Sequence, residues 1–126
     1  MLKEISSLPE LKDVNLKAKI AEGAHQAYTG KVLTCSKFFP AWELEENHSY
    51  VQKALSGLRA AGLDPDTRAY RFCTNAAYSI GVAGIPTIGF GPGAEGDAHV
   101  VDEKISLEEM EKAALGYRGI IEAVLG

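Results

Sequence analysis

The sequence predicts an α/β fold, in which part of a mixed sheet is covered by packed helices. Strand-like and helix-like segments alternate along the chain. Ile85–Phe90 is an almost uninterrupted apolar run, the kind of strand that is buried on both faces in α/β sheets. The C-terminal segment repeats apolar side chains every three or four positions, as an amphipathic helix does.

The first part of the chain is predicted to contain a short helix and two strands. The helix is expected over Met1–Leu8, where apolar side chains recur every three residues. Val14–Ile20 alternates apolar and polar residues, which predicts a half-buried strand at the edge of a sheet. After a polar connection over Gly23–Gly30, Lys31–Phe39 is predicted to form the second strand. Its phenylalanines are expected to fill a core together with Trp42.

A longer helix and another strand follow. Asn47 is predicted to cap a helix that ends near Ala61, with Gly62 just beyond its last turn. Thr67–Phe72 alternates again and predicts a strand.

The last third is predicted to contain a short helix, the buried strand and a long helix. The short helix is expected over Ala76–Val82 and stops at Gly84. Ser106 and Glu109 form a capping box, which predicts the start of a helix that runs to about Val124.

The composition excludes several classes of protein. Of the 126 residues, 46% are hydrophobic and 24% are charged, which is typical of a globular protein and not of a disordered chain. The net charge of −4 disfavours a nucleic-acid partner. Glycines and prolines interrupt the longest apolar stretch, Phe72–Ala94, so no membrane span is expected. The first residues lack the features of a signal peptide, and a cytoplasmic location is expected, with Cys35 and Cys73 reduced and buried.

The glycine-rich segment Gly91–Gly96 fits the letters G-x-G-x-x-G but not the structure that binds dinucleotides. After this segment no helix is predicted to begin until Ser106, and Pro92 has no amide hydrogen to donate to a phosphate. The segment is therefore either a flexible turn or a loop whose backbone comes close to another ligand.

His99 follows this loop and is the strongest candidate for chemistry. Ligands of open α/β sheets bind beyond the carboxyl ends of strands, and an imidazole there is a candidate zinc ligand or general base. A single histidine is, however, more often an ordinary surface residue. The chain has no HExxH or HxH motif, so any further metal ligands are expected elsewhere. His25 and His48 are weaker candidates.

Several of these runs together resemble a known family. The matching letters are T-N at 74–75, G-I-P-T-I-G-F-G-P-G at 84–93, A-H at 98–99 and D-E at 102–103. They resemble the C-terminal part of the dinuclear-zinc metallopeptidases and deacylases, which include aminoacylases, acetylornithine deacetylase and succinyl-diaminopimelate desuccinylase. The segments F-F-P-A-W at 38–42 and E-E-N-H at 45–48 resemble the branch of these peptidases that is linked to selenium metabolism.

The resemblance implies roles for individual residues. His99 would bind one of the two zinc ions of the complete family enzyme, and Glu103 would orient His99 from behind. The substrate site would include Thr74, Asn75, Gly91, Pro92 and Gly93. No catalytic residue would lie in this chain, because the family's general base and other metal ligands belong to an N-terminal part.

The resemblance also implies an organisation and a function. Residues 1–37 would be a remnant of the lid or dimerisation domain, and 38–126 the C-terminal part of the catalytic domain. The chain would be a fragment of a cytoplasmic, zinc-dependent hydrolase that cleaves an amide bond of a small peptide or N-acyl amino acid. By itself the fragment is expected to be inactive, with zinc absent or partial. Self-association into a homodimer is expected, through the Val14–Ile20 strand or the helix beside it. The alternative is an α/β binding or structural module without catalytic activity.

Overall fold

The computed structural model describes residues 2–126 and divides the chain into two compact units, Met1–Phe38 and Phe39–Gly126. Helices and strands are both present, which confirms the α/β class. The sheet in the described residues is a two-stranded antiparallel hairpin. No helix among these residues is both long enough and apolar enough to span a bilayer.

The first unit contains a short helix and the hairpin. Helix α1 spans Leu2–Ser6, which confirms the predicted helix for its described part; Met1 lies outside the described residues. Strand β1 spans Glu22–Gln26 and pairs with β2, Val32–Ser36. Gly30 closes the turn between them with a φ of 82°, a conformation that glycine adopts without strain.

The hairpin corrects one of the two strands that were expected here. The strand expected over Lys31–Phe39 is confirmed by β2, but the strand over Val14–Ile20 is wrong, because that segment has no regular structure. Strand β1 lies instead within the expected polar connection. A tight turn brings β1 directly opposite β2, and this local pairing outweighs the alternation of the preceding residues.

The second unit is built around two helices. Helix α2 spans Ser49–Ala60, the short α3 spans Ala76–Ser79, and α4 spans Leu107–Leu125. One turn of 3-10 helix, Glu95–Asp97, lies between α3 and α4. The core comprises buried residues of α2 and α4 and the partly buried hydrophobic residues packed on them: Ala54, Leu58, Ile120, Leu63, Ile88, Phe90 and Val124.

Helices α2 and α4 meet through glycines. A Cβ atom added to Gly57 would overlap the backbone of Gly119, and one added to Gly119 would overlap the carbonyl oxygen of Gly57. The two backbones are therefore in direct contact at the crossing, which no side chain other than hydrogen allows.

Helix α4 also carries a second apolar row that the unit does not cover. The row comprises Leu107, Met110, Ile121 and Leu125, which recur at helical spacing and are all exposed, Leu107 by 76% and Leu125 by 80%. We call these four residues the outer row of α4. Large exposed apolar side chains lie in this row at both ends of α4.

Two strands expected in the second unit are wrong. Neither Thr67–Phe72 nor Ile85–Phe90 is a strand, since among the described residues only β1 and β2 form a ladder. An apolar run becomes a strand only where a neighbouring strand accepts its hydrogen bonds. Helix α3 is also shorter than the expected Ala76–Val82, although hydrogen-bonded turns continue to Gly84, where φ is 69°.

Helix α2 ends where it was predicted to end, but its first residue is capped by a different side chain. Gly62 follows the helix with a φ of 81°, as predicted. At the start, His48 and not Asn47 is the cap, because the amide of Tyr50 donates to Nδ1 of His48 at 3.2 Å.

Two expectations about burial are also wrong. Cys35 and Cys73 are both exposed free thiols. Cys35 lies on β2, none of whose residues is buried. Phe39, which was expected in the core, is 64% exposed.

The Ser106 cap of α4 is confirmed, although the Glu109 carboxylate bonds the Ser106 hydroxyl and not the Ser106 amide of a complete capping box. The amide of Glu109 donates to Oγ of Ser106 at 3.1 Å, and the Ser106 hydroxyl donates in turn to the Glu109 carboxylate at 3.1 Å. We expect Ser106→Ala to lower the free energy of unfolding by about 1 kcal/mol, because an amide at the start of α4 loses its acceptor. Urea unfolding followed by circular dichroism measures this change.

The control for this prediction is Ser56→Ala, on the exposed surface of α2. That change should leave stability the same or slightly higher, since alanine is the better helix former. Equal destabilisation by the two substitutions would contradict the role of Ser106.

Candidate functional site

The second unit contains a cavity of about 480 Å³ with aromatic walls. Its lining comes from α2, α4 and the segments that precede α3 and the glycine-rich loop. Six of the lining residues are aromatic: Trp42, Tyr50, Tyr70, Phe72, Phe90 and Tyr117. The volume of the cavity lies within the range of small-molecule clefts, and it is open to solvent, since Tyr70, Phe72 and Tyr117 remain exposed.

Two pairs of rings shape the walls. The rings of Tyr70 and Phe72 stack, with centroids 4.9 Å apart and an interplanar angle of 13°. Phe90 and Tyr117 meet edge to face at 5.2 Å and 79°. The hydroxyl of Tyr117 also donates to the carbonyl oxygen of Phe90, which ties α4 to the residue before the glycine-rich loop.

The Tyr70 ring can lie where it does because residue 89 is a glycine. A Cβ atom at Gly89 would overlap that ring, so the ring lies directly on the backbone of the preceding segment. Burial, the neighbouring Tyr117 and the charge of Glu95 raise the pKa of Tyr70 above its ordinary value.

The glycine-rich loop lies beside this cavity. Arg71 lies between Tyr70 and Phe72 in the sequence, and its backbone amide donates to the Glu95 carboxylate at 2.9 Å. A Cβ atom built on Gly91 would be 3.7 Å from the hydroxyl oxygen of Tyr117. Gly93 has a φ of 87°, which side-chain-bearing residues rarely adopt. The loop thus turns sharply next to the aromatic walls.

Thr74 lines the cavity, whereas Asn75 does not. Thr74 is half-buried, and its Oγ1 accepts a hydrogen bond from the amide of Ala76 at 3.1 Å, at the start of α3. Asn75 is exposed and makes no capping bond with its side chain.

His99 lies in the exposed loop between the 3-10 turn and α4. Its φ is 60° and that of Asp102 is 61°, so two residues with side chains adopt the left-handed conformation within four positions. The carboxylate of Glu103 accepts a hydrogen bond from the amide of His99 at 3.0 Å. Glu103 therefore fixes the backbone of His99.

The sequence-predicted site residues form two groups. Thr74 lines the cavity, and the Gly91–Gly93 loop follows directly on the lining residue Phe90 without itself belonging to the lining. His99 is also outside the lining and meets Glu103 in the later loop. Within residues 2–126, no three or more histidine, cysteine, aspartate or glutamate side chains are grouped to hold a metal ion. The aromatic walls were missed by sequence reasoning, although Tyr70 and Phe72 carry the signal of two rings at a spacing of two.

Comparison with known proteins identifies the family. The sequence profile of peptidase family M20/M25/M40 matches residues 10–123. The chain belongs to this family. The M20/M25/M40 assignment confirms the resemblance inferred from the runs at 84–93 and 98–103, and it makes the chain part of a family of hydrolases.

Two relatives give the extent of the match. The chain is 32% identical over 120 residues to the uncharacterized protein YgeY of Escherichia coli K12, and equally to YgeY of Escherichia coli O157:H7. The match covers 94% of this chain but 30% of each relative, so the chain spans less than a third of their length. No solved structure gives a significant match to the chain.

Proposed function

We propose that this chain supplies one part of a zinc-dependent M20/M25/M40 hydrolase that cleaves an amide bond of a small peptide or N-acyl amino acid. The family match over residues 10–123 carries this proposal and favours it over a module without catalytic activity. Because the chain spans 30% of its relatives, the activity is proposed for an assembly that also contains the rest of the family's fold.

His99 is the proposed metal ligand of this chain. Its exposed imidazole suits zinc, which accepts histidine nitrogen readily, but one imidazole is too few donors for a closed site. The other ligands must therefore come from outside the part described here. A zinc ion held in this way would supply a Lewis acid for the amide carbonyl.

Glu103 is proposed to position His99. Its carboxylate already holds the amide of His99, so it restrains a loop that carries two left-handed residues. A restrained ligand loses less freedom when it binds its metal.

The Gly91–Gly93 loop is proposed to bind the substrate together with Thr74 and Asn75. Glycines let the backbone approach a ligand, and Gly91 and Gly93 retain amide hydrogens whereas Pro92 has none. Such amides would orient the substrate carbonyl and exclude water from one side of it.

We also propose a domain division, a mode of self-association and a location in the cell for this chain. Residues 1–37 are proposed to be a remnant of the lid and 38–126 the C-terminal part of the catalytic domain. Self-pairing would use the free edges of β1 and β2, since the Val14–Ile20 edge is not a strand. A cytoplasmic location is supported by the free thiols of Cys35 and Cys73.

We expect the purified chain alone to hydrolyse no N-acyl amino acid or dipeptide, with or without added zinc. A single imidazole neither holds zinc firmly nor provides a general base beside it. Release of free amino acid, measured against a His99→Asn variant, checks this expectation. Zinc-dependent turnover above that variant would contradict it.

The proposed function itself is tested in a chimera. In it, this chain replaces the segment of E. coli YgeY that it matches. We expect the purified chimera to contain zinc and to release amino acids from a panel of N-acyl amino acids and dipeptides. Unmodified YgeY, assayed in parallel, is the reference. A folded chimera that binds no zinc and cleaves no amide cleaved by YgeY would overturn the proposal.

A further inference from the structure

We infer that the aromatic cavity binds an uncharged aromatic or branched apolar group. In the proposed hydrolase this group would be the side chain or acyl group of the substrate, a step that rests on the proposed function. The binding itself does not, because it needs only the second unit of this chain.

The lining selects against charge. It contains no lysine, arginine, aspartate or glutamate, and its tyrosines are neutral phenols at physiological pH. A carboxylate that entered would exchange water for aromatic carbon close to the charge of Glu95, and an ammonium group would meet ring faces but no carboxylate in the lining, so neither transfer is favourable. A neutral apolar group gains free energy on the same transfer.

The geometry of the walls favours a flat group. The nearly parallel rings of Tyr70 and Phe72 present extended faces, and Phe90 and Tyr117 already show the edge-to-face contact that a further ring could repeat. Ile88 adds a branched aliphatic surface.

Several polar groups at the cavity can still donate a hydrogen bond to a ligand: the Tyr50 and Tyr70 hydroxyls and the Trp42 indole N–H line it, and so does Thr74. The Tyr117 hydroxyl donates its proton to the Phe90 carbonyl. Thr74 Oγ1 accepts from the Ala76 amide, so its own proton is still available to a ligand. A carbonyl attached to the buried group fits such a donor.

The cavity also lies where a substrate's side chain would have to go. The hydrogen bond from the Arg71 amide to Glu95 joins the stacked-ring wall to the loop after Gly93. A ligand whose ring fills the cavity therefore lies near the Gly91–Gly93 loop, which follows directly on the lining residue Phe90.

Trp42 provides the readout for a binding test on the intact chain. It is the only tryptophan in the sequence, and it lines the cavity. We propose titrating the chain with N-acetyl-phenylalaninamide, and with the lysine and aspartate amides of the same form as charged controls. Tryptophan fluorescence should change saturably with the phenylalanine compound, whose affinity should exceed that of the charged compounds by about tenfold or more.

Substitutions locate the site. Phe72→Ala should weaken binding by about tenfold, because a stacked ring is lost. Phe72→Leu, which keeps apolar bulk and is the safer variant for folding, should weaken it less. Tyr78→Ala removes an aromatic ring that is 69% exposed and outside the lining, and it should have no effect.

Each outcome decides the inference. Absence of saturable binding, equal affinity for the charged amides, or equal losses in the Phe72 and Tyr78 variants would overturn it. In the YgeY chimera, preference for N-acetyl-phenylalanine over N-acetyl-aspartate supports the substrate class. If the chimera is active but the chain does not bind the phenylalanine compound, only the inferred binding to the cavity is refuted. If the chain binds that compound but the chimera is inactive, only the proposed function is refuted.

Discussion

Replacing Gly119 by valine is expected to unfold most of the second unit. The new Cβ would overlap the carbonyl oxygen of Gly57, and because that atom belongs to a helix backbone it can move away only if α2 moves. Overpacking of this kind costs about 3 kcal/mol, a large share of the stability of a small domain. The unit has little to offset the loss, since none of the large described side chains is fully buried.

Chemical unfolding followed by circular dichroism measures this effect. Gly96→Val is the matched control, because a Cβ at Gly96 meets no atom within 4 Å. Gly57→Val should reproduce the loss from the other side of the crossing. If the Gly119 and Gly96 variants unfold at the same denaturant concentration, the close contact of α2 and α4 does not exist in solution.

Replacing His99 by asparagine in the YgeY chimera is expected to reduce amide hydrolysis by at least about 100-fold, because zinc loses a direct ligand. Asparagine is the better choice than alanine, since it tolerates the left-handed backbone at His99, where φ is 60°. Metal analysis of the same sample should show less bound zinc.

Asp102→Asn is the control for the His99 loop. Asp102 has nearly the same φ, 61°, and no role in the proposed site. It should retain the activity and the zinc content of the chimera. Comparable losses in both variants would mean that the loop matters only for folding, and His99 would no longer be a candidate ligand.

The helices were predictable because their signals are local. The bond between Ser106 and Glu109 lies within one turn, and Gly62 ends α2 through its own φ. The strands were not, because a strand is defined by its neighbour. Ile85–Phe90 has the composition of a buried strand but no ladder partner among the described residues, whereas Glu22–Gln26 has a polar sequence and a partner one turn away.

Some residues of the candidate site could likewise be found from the sequence, and others could not. The T-N run, the glycine-rich loop and His99 could be found because their spacing along the chain is characteristic. The aromatic cavity could not, since Trp42, Tyr70 and Tyr117 are far apart in sequence and only packing brings them together. A tryptophan or tyrosine considered alone is more often part of a core.

The outer row of α4 affects how long the chain persists in a cell. Chaperones and quality-control proteases act on proteins that display apolar side chains normally hidden in folded molecules, and Leu107, Met110, Ile121 and Leu125 are displayed even when the second unit is folded. Turnover would therefore depend on the folded surface of α4 and not on unfolding alone. Any polypeptide that covered the outer row would raise the amount of this protein at steady state.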